Sequence, residues 1–264
     1  MVSPLAAGNA RVKEARKLSR RSVRTERRLF LAEGWKAVAE AAAVPGCLVE
    51  VFVTADARTE HAALLDGLKV PVQLADDRAV ASLSGAVSPQ GLVAVCRFVD
   101  RPLEAALAGS LLVICADVRD PGNAGTIIRT ADAVGADGVV LAGSSVDPYN
   151  DKTVRASVGS LFHLPLTTGV PVLEAVRAAQ AAGYRVLAAD GAGETDLFSA
   201  GELFDGPVAW LFGNEAWGLP EEIAAAADAR VAIPILGRAE SLNLSTAAAV
   251  CLYASAQVRG TVEG

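Results

Sequence analysis

Residue types that usually announce a reaction centre are scarce in this 264-residue chain. Its two histidines, His61 and His163, stand without a matching partner, which leaves a histidine-based triad or metal site unsupported. The four cysteines (Cys47, Cys96, Cys115, Cys251) lie far apart among apolar neighbours. None has the spacing of a zinc site or redox pair, so they read as buried free thiols and no metal is expected. No GxGxxG follows the first strand, and there is no GxxxxGK[ST]; Gly122-Asn-Ala-Gly125 is too short for either. A Rossmann-type or P-loop nucleotide site is thereby disfavoured. No run of about 18 uninterrupted apolar residues is present, so no membrane span is expected. The N-terminus lacks the charged–apolar–small order of a signal peptide, and a cytoplasmic protein is the expectation.

What is present is unevenly distributed. The formal net charge is −6. Residues 1–107 hold 15 Lys and Arg against 12 Asp and Glu, whereas residues 108–264 hold 9 against 18. Within the first part, Arg11, Lys13, Arg16, Lys17, Arg20, Arg21, Arg24, Arg27 and Arg28 face only Glu14 and Glu26 over the same stretch. A solvated helix face normally mixes both signs. The bias points to a phosphate-binding element, because attraction follows the local field rather than the total charge.

Residues 11–43 read as helical, ending near Val44-Pro45-Gly46. Leu48–Thr54, Val70–Leu74 and Leu92–Phe98 are of strand length, with helical text at 60–68 and 76–83. Beyond Arg101-Pro102 strands alternate with helices. Strands are expected at 111–116, 138–142, 162–166, 185–189, 208–212 and 230–233, with helices at 123–135, 151–160, 171–182, 220–227 and 243–258. Such alternation implies an α/β fold with a mostly parallel sheet covered on both faces. The boundary is placed near 105, giving a smaller α/β domain over 1–105 and a larger one over 106–264.

In open α/β sheets ligands gather where strands end and helices begin. Three such exits are unusually polar or glycine-rich. The first is Asp117-Val-Arg-Asp-Pro-Gly-Asn123-Ala-Gly-Thr126, leading to Arg129. The second is Leu211-Phe-Gly213-Asn214-Glu215-Ala-Trp-Gly-Leu-Pro220. The third is Ile233-Pro-Ile-Leu236-Gly-Arg-Ala-Glu-Ser241-Leu242-Asn243-Leu-Ser245. Taken singly, each could be a turn and a helix cap, with Asn123, Ser241 or Asn243 as the capping residue. Three on one rim of a single sheet are less easily explained that way.

At these three loops the sequence resembles the SpoU-type (TrmH-like) RNA ribose 2′-O-methyltransferases of the SPOUT class. The three motifs occur in family order, and residues 147–165 are similar to the segment between the first two. The likeness covers essentially all of 111–258. More loosely, the first 100 residues, best at Phe30-Leu-Ala-Glu-Gly34, resemble the ribosomal-protein-like substrate-binding domain that many such enzymes carry. The resemblance implies S-adenosylmethionine as methyl donor, a deep trefoil knot, a homodimer, and structured RNA, by preference large-subunit ribosomal RNA, as substrate. Transfer RNA, a catalytically silent RNA-binding module of the same fold, and a small-molecule methyltransferase are the alternatives. By position it implies that Gly213, Ile233 and Leu242, with Leu211, Asn214 and Leu236, hold the donor. Asn123, Arg129, Glu215, Ser241 and Asn243 become the reaction centre. Arg129 would act either as a base or, since arginine stays protonated, as a clamp for a phosphate and the developing alkoxide. Glu215 would orient Arg129 or favour the positive sulfonium, and the nine cations at 11–28 would grip RNA.

Overall fold

Alternating and continuous apolar runs become the strands of two separate sheets in the computed structural model, which describes residues 3–260 and side chains through Gln257. β1 (Leu29–Glu33), β2 (Leu48–Val53), β3 (Val72–Leu74) and β4 (Leu92–Arg97) form a mixed sheet in the order β1-β4-β2-β3. Here β4 runs antiparallel to β1 and β2, while β3 is parallel to β2. The second sheet contains β5 (Leu111–Ala116), β6 (Gly138–Ala142), β7 (Leu166–Thr168), β8 (Arg185–Ala189), β9 (Thr195–Asp196), β10 (Val208–Phe212) and β11 (Ala229–Ala232). All seven are parallel, in the order β7-β6-β5-β10-β8-β11-β9.

The chain divides into two compact units. One runs to Val99 and also takes in Asp147–Phe162; the other comprises Asp100–Val146 and the chain from His163 onward. The first unit is therefore discontinuous in sequence, unlike the single boundary expected near 105. Aromatic burial explains the return of Asp147–Phe162. Tyr149 stacks on Phe98 with centroids 3.7 Å apart and lies 4.8 Å from Phe30, and its hydroxyl accepts from the Val99 amide at 2.9 Å. Arg24 adds an ionic tie, with Nε and Nη2 donating to Asp147 Oδ2 at 2.9 and 2.7 Å.

The continuous helix expected over 11–43 does not form. Helices Ala10–Arg16 and Arg21–Arg27 are separated by a 3₁₀ turn, and residues 29–33 are strand β1 before a helix at Trp35–Ala43. Arg28 sits in the left-handed region (φ 54°) and Gly34 has φ 87°, so both ends of Leu29–Glu33 break a helix. Between them burial alternates with period two, as a half-covered strand requires. Leu29, Ala32 and Glu33 are good helix formers; pairing with β4 overrides that preference. On the basic helix, Val12 and Ala15 pack under the sheet with Phe52 and Val93, so its cations occupy the remaining faces.

In the second unit β5 is buried at every position, as expected of a central parallel strand. Leu112, Ile114, Val140, Val186 and Leu211 form one core with the helix Val172–Ala181. All four cysteines are buried and free. Burial pushes the Cys115 and Cys251 thiols up to about 12, so both stay protonated at neutral pH. Among the described residues no helix is long and apolar enough to cross a membrane.

Candidate active site

Because the seven strands are parallel, their carboxyl ends share one edge, and the loops leaving β5, β8, β10 and β11 meet there. After β5 the chain turns through Asp117, a left-handed residue (φ 56°) whose Oδ1 accepts from the Ser144 amide at 2.7 Å. The helix Pro121–Ala133 then starts with proline at its first position. Its cap is Asp120, which accepts from the Asn123 amide at 2.8 Å, rather than Asn123 itself. That frees the buried Asn123 side chain for other partners.

The loop after β10 folds back on itself. Asn214 and Gly218 exchange backbone hydrogen bonds, each of 2.9 Å. A Cβ on Gly213 would fall 2.4 Å from the Gly218 carbonyl carbon, so only glycine permits this turn. Asn214 Nδ2 donates to the Asp117 carbonyl at 2.7 Å, joining the β10 loop to the β5 loop. Glu215 strengthens the joint by accepting from the amides of Arg119 (3.1 Å) and Asp120 (2.9 Å) and from Asn123 Nδ2 (3.2 Å). Partial burial alone would raise its pKa. The converging N–H donors outweigh that and hold the carboxyl below its usual range.

The third loop closes the network. Asn243 Oδ1 accepts from the Ser245 amide (2.9 Å) and hydroxyl (2.7 Å) and from the Thr246 amide (3.3 Å), capping the last helix, Leu244–Gly260. Its Nδ2 donates to Asn123 Oδ1 at 3.1 Å. A single carboxamide, that of Asn123, thus links Glu215 on one loop to Asn243 on another.

Next to Asn243 lies a cavity of about 460 Å³, in the range of small-molecule sites. Ile233, Ser241 and Leu242 line it, together with Ala189, Asp190, Gly191, Ile235 and Glu240. The other four residues implied for the donor are placed differently. Leu211 is packed in the core, so only its backbone could face a ligand. Gly213 and Asn214 belong to the folded-back loop, and Leu236 is 94% exposed. The exit of β8 was not singled out from the sequence, although Asp190-Gly-Ala-Gly193 directly after a strand is a usable signal. Asp190 is anchored there by Arg230, whose Nε and Nη2 donate to its Oδ2 at 3.1 and 2.7 Å. Burial opposes its charge, but the Ala192 amide and Arg230 prevail and keep its pKa low. Arg129 and Ser241 are exposed and make no side-chain hydrogen bond or ion pair among the described residues.

In the first unit the nine cations separate into groups. Arg24 is buried, holds Asp147, and donates from Nη1 to the carbonyls of Leu18 and Ser19. It is a structural residue and leaves the set expected to grip RNA, because desolvating it required a buried counter-charge. Arg11 pairs with Glu50, and Lys17 and Arg27 with Glu14. Arg16 donates to the Ala7 carbonyl, and the Arg28 guanidinium lies 4.7 Å from the Phe98 ring centroid. Lys13, Arg20 and Arg21 are exposed without such partners among the described residues.

Comparison with known proteins adds to this geometry. A SpoU rRNA Methylase family model matches residues 110–253, and an MRM3-like substrate binding domain model matches residues 9–94. The chain is 35% identical over 251 residues to the 23S rRNA (guanosine(2553)-2′-O)-methyltransferase RlmP of Bacillus subtilis, covering 94% of this chain and 96% of that one. The AdoMet-bound rRNA methyltransferase of Sinorhizobium meliloti superposes with a TM-score of 0.84 at 35% identity, covering 94% and 95%. The SpoU methyltransferase AviRb of Streptomyces viridochromogenes, in complex with AdoMet, gives 0.85 at 31% identity, covering 97% and 99%.

Proposed function

Since the chain belongs to the SpoU rRNA methylase family, we propose that it transfers the methyl group of S-adenosylmethionine to a ribose 2′-hydroxyl of large-subunit ribosomal RNA. The observation that carries this reading is the Glu215–Asn123–Asn243 linkage, which ties three strand-exit loops together beside a cavity of suitable size. When bound, the donor supplies a methyl group on a positively charged sulfonium. Ile233, Ile235 and Leu242 offer it apolar walls, while Asp190, Glu240 and Ser241 offer polar ones. Backbone groups of Leu211, Gly213, Asn214 and Leu236 complete the binding loops.

Each polar residue then has a physical role. Arg129 has no side-chain partner among the described residues, so its guanidinium can clamp a substrate phosphate and stabilise the alkoxide as the hydroxyl passes its proton to water. Asn123 and Asn243 present amides already fixed by hydrogen bonds, which lowers the cost of orienting the ribose. Ser241 adds a hydroxyl on the cavity rim. Glu215 stays ionised at neutral pH, and we assign to its negative charge the role of favouring the sulfonium.

We propose further that the chain is knotted, dimeric and cytoplasmic. The last helix packs on Pro121–Ala133 and also touches β10 and β8, which supports a knotted C-terminal stretch. Phe198 and Tyr253 are 69% and 56% exposed on one apolar face with Val250, which suits a second copy of the chain. We place the enzyme in the cytoplasm with its substrate. Incubation with radiolabelled S-adenosylmethionine and unmodified ribosomal or transfer RNA, followed by primer-extension mapping, tests the proposal. A single stop in large-subunit RNA is expected. Label confined to transfer RNA, or no transfer at all, overturns it.

A further inference from the structure

Within the first unit, a cavity of about 330 Å³ lies apart from the basic stretch, lined by Gly34, Trp35, Lys36, Ser88, Gln90 and Arg155 among others. Trp35 is 44% exposed, which is unusual for so large an apolar ring. The His61 ring lies 6.0 Å from it at 24°, and the Lys36 ammonium 5.6 Å from its centroid. Glu33, the one carboxylate in the lining, is already occupied by the Ser84 hydroxyl, the Gly85 amide and Arg155 at 3.6 Å. Gln90, Ser88 and Lys36, by contrast, have no side-chain hydrogen bond or ion pair among the described residues. Gly34 makes room for this arrangement: a Cβ there would lie 2.7 Å from Gln90 Oε1.

A half-exposed aromatic ring, a carboxamide without a hydrogen bond and an ammonium whose one contact among the described residues is that ring match the three parts of a nucleotide: the π-face, the hydrogen-bonding edge and the phosphate. We propose that this cavity takes one unstacked nucleobase of the RNA substrate, with Trp35 as the stacking platform, Gln90 reading the base edge and Lys36 meeting the adjoining phosphate. On the other side of Gln90, Asp56, Glu60 and Asp77 line a neighbouring hollow, and their charge repels phosphate. The strand is thereby directed along the Lys36 side. The site binds single-stranded RNA at a loop or bulge, since a base within a duplex cannot present its face. This inference deepens the proposed function and rests on RNA being the substrate.

The test combines binding, kinetics and fluorescence on the full chain. With an unmodified large-subunit RNA transcript, Trp35→Ala should weaken binding and raise KM for RNA by about tenfold or more, leaving kcat and S-adenosylmethionine affinity unchanged. Trp35→Phe should retain most of the affinity, and Lys36→Glu, a surface change that spares the ring, should weaken it. A short single-stranded oligoribonucleotide should quench tryptophan emission in the parent protein and not in Trp35→Phe. Ribosomal RNA methylation with an unchanged KM in Trp35→Ala overturns the base site while leaving the methyltransferase reading intact. Loss of affinity in Trp35→Phe equal to that in Trp35→Ala also overturns stacking. Quenching that depends on Trp35 without any RNA methylation would keep the base site and remove the enzymatic reading.

Discussion

The first unit is basic and meets its surroundings through side chains on a surface, whereas the second is acidic and works through loops leaving a buried sheet. Along 11–28 four of the nine cations are held in carboxylate pairs, Arg16 by a carbonyl and Arg28 by a ring, and Lys13, Arg20 and Arg21 stay uncommitted among the described residues. At the edge of the parallel sheet nearly the reverse holds: Asn123, Asn214, Glu215 and Asn243 are all tied to backbone or to each other, and of the motif residues only Arg129 and Ser241 lack a side-chain partner among the described residues. Charge density in sequence is therefore a poor measure of available charge. It also separates two tasks. Phosphate attraction tolerates mobile side chains, while a reaction centre needs groups held in place before substrate arrives.

The largest effect is expected from removing Arg24, the one buried cation among the described residues. Arg24→Ala should lower the unfolding free energy by about 3 kcal/mol, read by urea denaturation, because the largely covered Asp147 carboxylate is left without its counter-charge. A loss below about 1 kcal/mol would return Arg24 to the surface group. Next, Arg129→Ala should reduce kcat about 100- to 1000-fold without altering S-adenosylmethionine affinity in calorimetry. Near-normal turnover removes Arg129 from the chemistry. Asn123→Ala should cost about 1–3 kcal/mol in thermal or chemical unfolding, since it strands donors and acceptors on both neighbouring loops. Combined replacement of Lys13, Arg20 and Arg21 by alanine should weaken RNA binding and flatten its log–log salt slope by about 2. An unchanged slope would mean that the paired cations do the gripping. The smallest effect concerns acid. Glu215 titrates lower folded than unfolded, so its contribution is present above its ordinary value of 4.5 and fades as pH falls through the folded value. Glu215→Gln should therefore flatten the acid limb of a stability–pH curve, and an identical limb would dismiss the carboxylate as a clamp.

Much of the second unit was legible from pattern alone. β5, β6, β8 and β10 begin and end where the apolar runs do, because central parallel strands are buried on both faces and tolerate no polar interruption. β7 falls at Leu166–Thr168, later than the strand-like stretch at 162–166, and β9 is only two residues long. Neither carries enough period to be read. In the first unit β1 was hidden inside helix-forming residues, and only Arg28 and Gly34 at its ends betray it. The site was legible as three loops and their motif residues. The β8 loop with Asp190 and the Trp35 cavity were not, since each depends on which distant segments fold against it.

The fold class, the family motifs and the sign of charge on each half follow from local composition and residue order and can be read without the structure. Tertiary structure decided what those residues can do. It buried Arg24 against Asp147, 123 positions away, and joined Asn123 to Asn243 across 120. It also gave Asp147–Phe162 to the first unit. The physical reason is that burial and hydrogen-bond partners are properties of contacts between remote segments. Local pattern specifies each segment and only the packed chain specifies the pair.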